Sequence, residues 1–207
     1  MTHSAQGTAQ PVARHITIEQ GGNADALLVE RAKTGDLAAF RALFERYQRA
    51  IYNLAYRMVT DPEDAADITQ ESFVRAYRSL PRLKHGAAFS SWLRKIATNL
   101  CRDHVKRPSI PTSSLEADEA EQGAREIADS TQDTAGALLQ RELHGQIQAA
   151  LASLSPEHRM VVTLHHLQGV TVEEIAKIMS CSVGTVKSRL ARAREALKRR
   201  LQSYIEV

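Results

Sequence analysis

The sequence predicts an all-α protein of two small helical domains joined by an acidic linker, and three observations carry that expectation. Ala, Leu, Arg and Glu are abundant while the 207 residues include 10 Gly, 6 Pro and 5% aromatics, a balance that favours helices over strands. Apolar residues recur at steps of three and four through most of the chain, the period of an amphipathic helix. Between the periodic blocks lies a 30-residue stretch, 108–137, without such a period and too long for an ordinary connection inside a compact domain. The expected layout is a disordered tail over 1–24, a first domain over 25–107, the linker over 108–137 and a second domain over 138–207.

Each element has its own signal. From Asp36, a plausible N-cap, the residues Leu37, Phe40, Phe44, Tyr47, Ile51, Leu54 and Met58 mark one long helix. Asp61-Pro62-Glu63-Asp64 reads as the start of the next: a cap, a proline at the first helical position, and acids facing the positive end of the helix dipole. That helix should run to about Ser79 with Ala65, Ile68, Phe73, Ala76 and Tyr77 inward, and Asp64, Asp67, Gln70, Glu71 and Arg75 elsewhere. After a loop from Pro81 to Ala88, Phe89, Trp92, Leu93, Ile96, Ala97, Leu100 and Val105 predict the core side of a further helix, opposite Arg94, Lys95, Asn99, Arg102, Lys106 and Arg107. In the second domain Leu139, Leu143, Ile147, Ala150, Leu151 and Leu154 share a face. Ser155-Pro156 then opens a helix that Gly169 ends.

Charge is unevenly spread around the net +3. Residues 25–107 carry 15 basic against 10 acidic groups, 138–207 carry 10 against 6, and the linker between them carries Arg125 against seven acids. Two basic blocks flanking an acidic bridge point to a nucleic-acid partner. Cys101 and Cys181 have neither zinc-site nor disulfide spacing, which fits a reducing compartment, and Cys101 falls on an apolar face as a buried small hydrophobe. No segment reads as a signal peptide or a membrane span, so a soluble, cytoplasmic protein without membrane insertion is expected.

The most informative segment is near the C-terminus. Thr171-Val172-Glu173-Glu174 is a capping box opening a short helix to Met179, Ser180-Cys181-Ser182 makes a turn, and Val183, Val186, Leu190, Ala193, Leu197 and Leu201 line a long last helix. This is a helix-turn-helix, whose second helix enters the major groove. Between Lys187 and Arg200 that helix carries seven basic residues against the single acid Glu195. Basic helix ends often only complement the helix dipole, but the capped helix and turn before this one favour DNA contact. Its early residues would reach base edges and its later ones phosphates.

The run from Gly169 through Ala176, with Cys181-Ser182-Val183-Gly184-Thr185-Val186-Lys187-Ser188-Arg189-Leu190 and Arg192-Ala193-Arg194, resembles region four of the extracytoplasmic-function sigma factors of the sigma-70 family. Asp61 to Asp67, Gln70-Glu71-Ser72-Phe73 and Arg75-Ala76-Tyr77 resemble region 2.2 of that family; Phe89 to Leu93 and Ile96 to Asp103 resemble regions 2.3 and 2.4. The resemblance implies a transcription initiation factor with no catalytic residue and no cofactor. Its partners would be core RNA polymerase (the coiled coil of the largest subunit and the flap), promoter DNA, and an anti-sigma factor. By the same resemblance, Asp67, Gln70, Glu71 and Arg75 would bind polymerase; Lys84, His85, Phe89, Asn99, Arg102 and Lys106 would read the −10 element; and Thr185, Lys187, Ser188, Arg189, Arg192 and Lys198 would read the −35 element. The linker would thread the polymerase towards the RNA path. Three positions depart from the family pattern and leave the −35 preference open: Ala191 is small, Ser182 replaces a frequent proline, and Lys187 stands where some relatives have Arg.

Other readings are weaker. His165-His166 lack ligand-spaced partners for a metal, and Trp92 is in phase with core residues rather than set to stack on a base. The acids from Asp61 to Glu71 could suggest metal-dependent chemistry, but capping accounts for the first three, and no phosphate-cradling loop or nucleophile motif accompanies them. The nearest alternative is a helix-turn-helix regulator that binds an operator without polymerase.

Overall fold

The computed structural model describes residues 22–107 and 134–205, so the expected tail for nearly all its length and the linker over 108–133 lie outside the described residues. Eight α-helices form among the described residues: α1 (Gly22–Lys33), α2 (Leu37–Val59), α3 (Pro62–Ser79), α4 (Phe89–Lys106), α5 (Thr134–Ala152), α6 (Pro156–Val162), α7 (Val172–Met179) and α8 (Val183–Ile205). Two 3₁₀ turns, Leu80–Arg82 and Gly86–Ala88, join α3 to α4, and a π-helical turn, Thr163–Leu167, extends α6.

The caps act as the sequence indicates. Asp36 accepts from the backbone N–H of Ala39 at 3.1 Å, which together with the Arg31 guanidinium holds its carboxyl below the usual carboxylate range. Asp61 accepts from Glu63 and Asp64 at 2.8 and 2.9 Å. These caps fix the starts of α2 and α3, which pack against each other. Thr69 and Ser72, buried on the inner face of α3, satisfy their hydroxyls by donating to the carbonyls of Ala65 and Ile68.

Around α2, the residues Leu43, Tyr47, Ile51, Leu54 and Met58 form the first domain's core with Phe73, Leu80, Phe89 and Leu93. The second domain packs Leu151, Met160, Val161, Leu164, Ile175, Ile178, Val186 and Leu190. Burial of each such side chain contributes about 1.5–3 kcal/mol.

Five features differ from the sequence reading. α1 has no amphipathic stripe to announce it: Leu27 is 71% exposed, whereas Asp25 is buried and held by Arg46 and Tyr47. Tyr77, expected inward, is 41% exposed and rests edge-on against Phe40. Leu143 lies outside the α5 seam, half exposed. Helical structure begins at Thr134, inside the expected linker.

The fifth difference is the largest. The two domains are not merely tethered; α4 packs on α7 and α6, and α2 packs on α5 and α6. Arg94, expected on the polar side of α4, is 6% exposed in that junction. Its Nε donates to Gln168 Oε1 at 3.2 Å, while Gln168 Nε2 donates to the Ala50 carbonyl at 2.7 Å. Arg159 Nη1 donates to the Met58 carbonyl at 2.7 Å, so the second domain supplies a cation to the C-terminal turn of α2, where unpaired carbonyls carry the negative end of the helix dipole. Gln148 completes the contact, accepting from Arg57 at 2.7 Å and donating to the Tyr56 carbonyl at 3.1 Å.

Candidate nucleic-acid and polymerase interfaces

The helix-turn-helix is built from its caps inward. Glu174 N–H donates to Thr171 Oγ1 at 3.3 Å and Thr171 N–H to Glu174 Oε2 at 3.4 Å, the reciprocal bonds of a capping box. α7 buries Ile175, Ala176, Ile178 and Met179 and stops where Ser180 adopts a left-handed conformation at φ 52°. Cys181 N–H then donates to the Ala176 carbonyl at 3.0 Å, turning the chain. Ser182 begins α8: its Oγ accepts from Thr185 N–H at 3.0 Å and lies 2.8 Å from Thr185 Oγ1. Serine at this position thus performs a capping function that a proline could not.

Along α8, Val186, Leu190 and Ala193 are buried against α7 and α6. Ser188, Ala191, Arg192 and Arg199 are exposed opposite that stripe, Lys187 and Lys198 are exposed to one side of them, and Thr185 and Arg189 are half-buried on the other. The Ser188 hydroxyl donates back to the Thr185 carbonyl at 3.0 Å, leaving it an acceptor towards the outside. Among the described residues no acid pairs with Lys187, Arg192 or Lys198. Arg194 is differently placed: its Nε donates to His166 Nε2 at 3.3 Å, and burial together with the neighbouring His165 and Arg194 charges keeps His166 below the usual histidine range. His165 Nδ1 meets the Val170 carbonyl at 3.0 Å, so both rings have protein partners. No cluster of three or more potential metal ligands occurs among the described residues.

α4 divides into three faces. Phe89, Leu93, Ala97 and Cys101 face their own core. Arg94 and Thr98 face the second domain, Thr98 Oγ1 lying 3.8 Å from Met160 Sδ. Lys95, Asn99, Arg102 and Lys106 recur at steps of three and four on the third face, with Lys95, Asn99 and Lys106 exposed and Arg102 half-buried. Lys84 and His85 are exposed at the neighbouring turn. Phe89 does not share that surface: it is fully buried, its ring 5.7 Å from Tyr47 and 6.1 Å from Trp92, so it supports the turn from beneath and offers no face to a base. The alternation that marks a helix core already places it inward, ahead of its adjacency to the loop.

On α3, Asp67, Gln70 and Arg75 are exposed and Glu71 is partly so, on the side opposite Ile68, Phe73 and Ala76. Arg75 Nε donates to Glu71 Oε1 at 2.6 Å. The four form one polar strip, on a helix that packs chiefly on α2 and α4 of its own domain. The junction residues Arg94, Gln168, Arg159 and Gln148 had no sequence signal, because isolated polar residues on helices read as solvated.

The Sigma-70 region 2 profile matches residues 43–109 and the Sigma-70, region 4 profile matches 144–197. The chain is 38% identical over 187 residues to the RNA polymerase sigma-H factor of Pseudomonas aeruginosa, covering 87% of this chain and 95% of that one. It is also 38% identical over 188 residues to the ECF RNA polymerase sigma-E factor of Escherichia coli K12, covering 87% and 96%. Among solved structures, CnrH in complex with the cytosolic domain of CnrY aligns with a TM-score of 0.66 at 24% identity, over 87% of this chain and 98% of that one. The sigma factor RpoE in complex with the anti-sigma factor NepR, from Bartonella quintana, aligns with a TM-score of 0.60 at 22% identity, over 79% and 96%. These last two likenesses are of fold.

Proposed function

The chain belongs to the sigma-70 family, in its extracytoplasmic-function branch, and directs RNA polymerase to promoters; we propose how its surfaces divide that work. The strip Asp67, Gln70, Glu71 and Arg75 on α3 binds the coiled coil of the largest polymerase subunit. The turn bearing Lys84 and His85, with Asn99, Arg102 and Lys106 of α4, holds −10 bases, a flipped base exchanging stacking worth a few kcal/mol for pocket contacts. Thr185, Lys187, Ser188, Arg189 and Arg192 meet −35 base edges and Lys198 a phosphate. No reaction is assigned to the chain. The observation that carries this reading is the outer face of α8, basic and solvent-exposed above a fully buried inner stripe.

The same geometry requires a change of arrangement. α4 packs on α7 and α7 on α8, which puts the two reading helices two packing steps, about 20 Å, apart. Elements centred 35 and 10 bases upstream of a start site are about 25 base pairs, or roughly 85 Å, apart at 3.4 Å per step. The junction through Arg94, Gln168 and Arg159 must therefore open before both elements are held at once. A protein partner that binds both domains in their closed arrangement would keep the chain from promoters, the role we assign to an anti-sigma factor. The acidic linker would occupy a basic nucleic-acid channel of the polymerase until RNA displaces it.

Binding of a promoter fragment with and without core polymerase tests the reading. Two small helical domains supply modest contact area, so tight, sequence-specific binding should require core. A specific footprint from the protein alone would favour an operator-binding regulator instead.

A further inference from the structure

The segment joining α3 to α4 is held by a period of three. Leu80, Leu83, Gly86 and Phe89 are buried, whereas Pro81, Arg82, Lys84, His85, Ala87 and Ala88 are exposed. Two successive 3₁₀ turns, with three residues per turn, bring every third residue to the same side. Beneath them lies α1, which packs on both turns. The contact is closest at Gly86: a Cβ there would stand 2.7 Å from Ala26 Cα, 3.1 Å from the Ala26 carbonyl oxygen and 3.2 Å from Val29 Cβ. The nearest atoms are backbone, so no rotamer change relieves the collision, and glycine is required by the close approach of two chains.

α1 is itself anchored from below. Asp25, 1% exposed, accepts hydrogen bonds from Arg46 and from the hydroxyl of Tyr47, both on α2. The Tyr47 ring in turn packs on Phe89, the last of the four buried residues. Contacts thus run from Asp25 through Tyr47 to Phe89 and return through Gly86 to Ala26. The Sigma-70 region 2 match begins at residue 43, beyond α1.

We propose that α1 is a specificity-positioning element for promoter DNA: the Ala26–Val29 surface, locked by Asp25, sets the height and turn geometry of the 80–89 segment so that Lys84 and His85 are preorganised for the −10 bases. This rests on the reading of that turn as part of the −10 site. A turn fixed before binding loses less conformational freedom on contact and rejects bases that would require it to shift.

The test uses holoenzyme assembled from the full chain and core polymerase. Transcript yield is compared between a promoter recovered from a genomic library and its single-base −10 and −35 variants. Gly86→Ala pushes the turn off α1, and Val29→Ala loosens its bed without a collision, so the second decides if the first fails to fold. In folded variants, −10 discrimination should fall by about tenfold, within the range that one base-pair mismatch commands, with −35 discrimination and core affinity unchanged. A generally weakened domain would lower core affinity as well and would overturn the positioning role. Lys84→Ala and His85→Ala separate the two claims. If they alter −10 discrimination while the α1 variants do not, the proposal fails alone; if they too leave it unchanged, the −10 reading of the turn fails with it.

Discussion

Replacing Gln168 by alanine isolates the contact that holds the two domains together. The side chain makes two bonds across the junction, accepting from Arg94 Nε at 3.2 Å and donating to the Ala50 carbonyl at 2.7 Å. A bond to a charged donor contributes about 1.5–3 kcal/mol and a neutral one about 1 kcal/mol. The Arg94 bond is at the long end of the range, but its loss strands a cation that is 6% exposed and whose pKa burial already lowers. We place the weakening of the junction at about 2–3 kcal/mol. Thermal unfolding of the wild-type chain should be one transition and that of Gln168→Ala two, with a larger radius of gyration by small-angle scattering. Gln168→Glu, which keeps an acceptor for Arg94 and loses the donor to Ala50, should be milder. Unchanged cooperativity and unchanged dimensions in Gln168→Ala would refute the assignment of Gln168 as the latch.

Four further outcomes follow from the site. Arg192→Ala should cost about 1–3 kcal/mol of −35 binding and relax selectivity at one base, whereas Lys198→Ala should weaken all sequences alike and reduce the salt slope by about one; fragment binding across salt concentrations separates them. Thr171→Ala removes the capping box and should destabilise the second domain by about 1 kcal/mol in thermal melts. Asp67→Arg, on an exposed face, should change stability by less than about 0.5 kcal/mol while lowering affinity for core polymerase in a titration. Burial pushes the Cys101 thiol up to about 12 from an ordinary 9.0. Because the folded state holds that proton more tightly, its contribution to stability is full below pH 9 and declines as pH rises towards 12. Urea titrations across that interval should therefore show a steeper decline for the wild type than for Cys101→Ala, and iodoacetamide should label half-buried Cys181 before Cys101.

How much of this was legible depended on whether a signal was periodic or particular. α2, α3, α7 and α8 announce themselves through apolar steps of three and four and through Asp36, Asp61 and Thr171 at their starts, since capping is local chemistry between neighbours in sequence. The exposed face of α8 follows from the same periodicity, because fixing Val186, Leu190 and Ala193 inward fixes Arg192 outward. α1 was illegible because its anchor is a buried acid, and Asp25 reads as solvated until Arg46 and Tyr47, 21 and 22 residues away, are brought to it. Arg94 was misplaced for the mirror reason: a helix packed on two sides has less polar surface than its sequence suggests. Gly86 stands in a turn where glycine is ordinary, and only the backbone of Ala26 against it reveals why no other residue fits.

The most direct test of the central claim is promoter-specific run-off transcription with purified protein and sigma-free core polymerase on a genomic promoter library. Discrete transcripts that disappear when the protein is omitted, and whose aligned start sites share −10 and −35 elements, are the predicted result. No such transcripts, with a discrete footprint on DNA in the absence of polymerase, would contradict it.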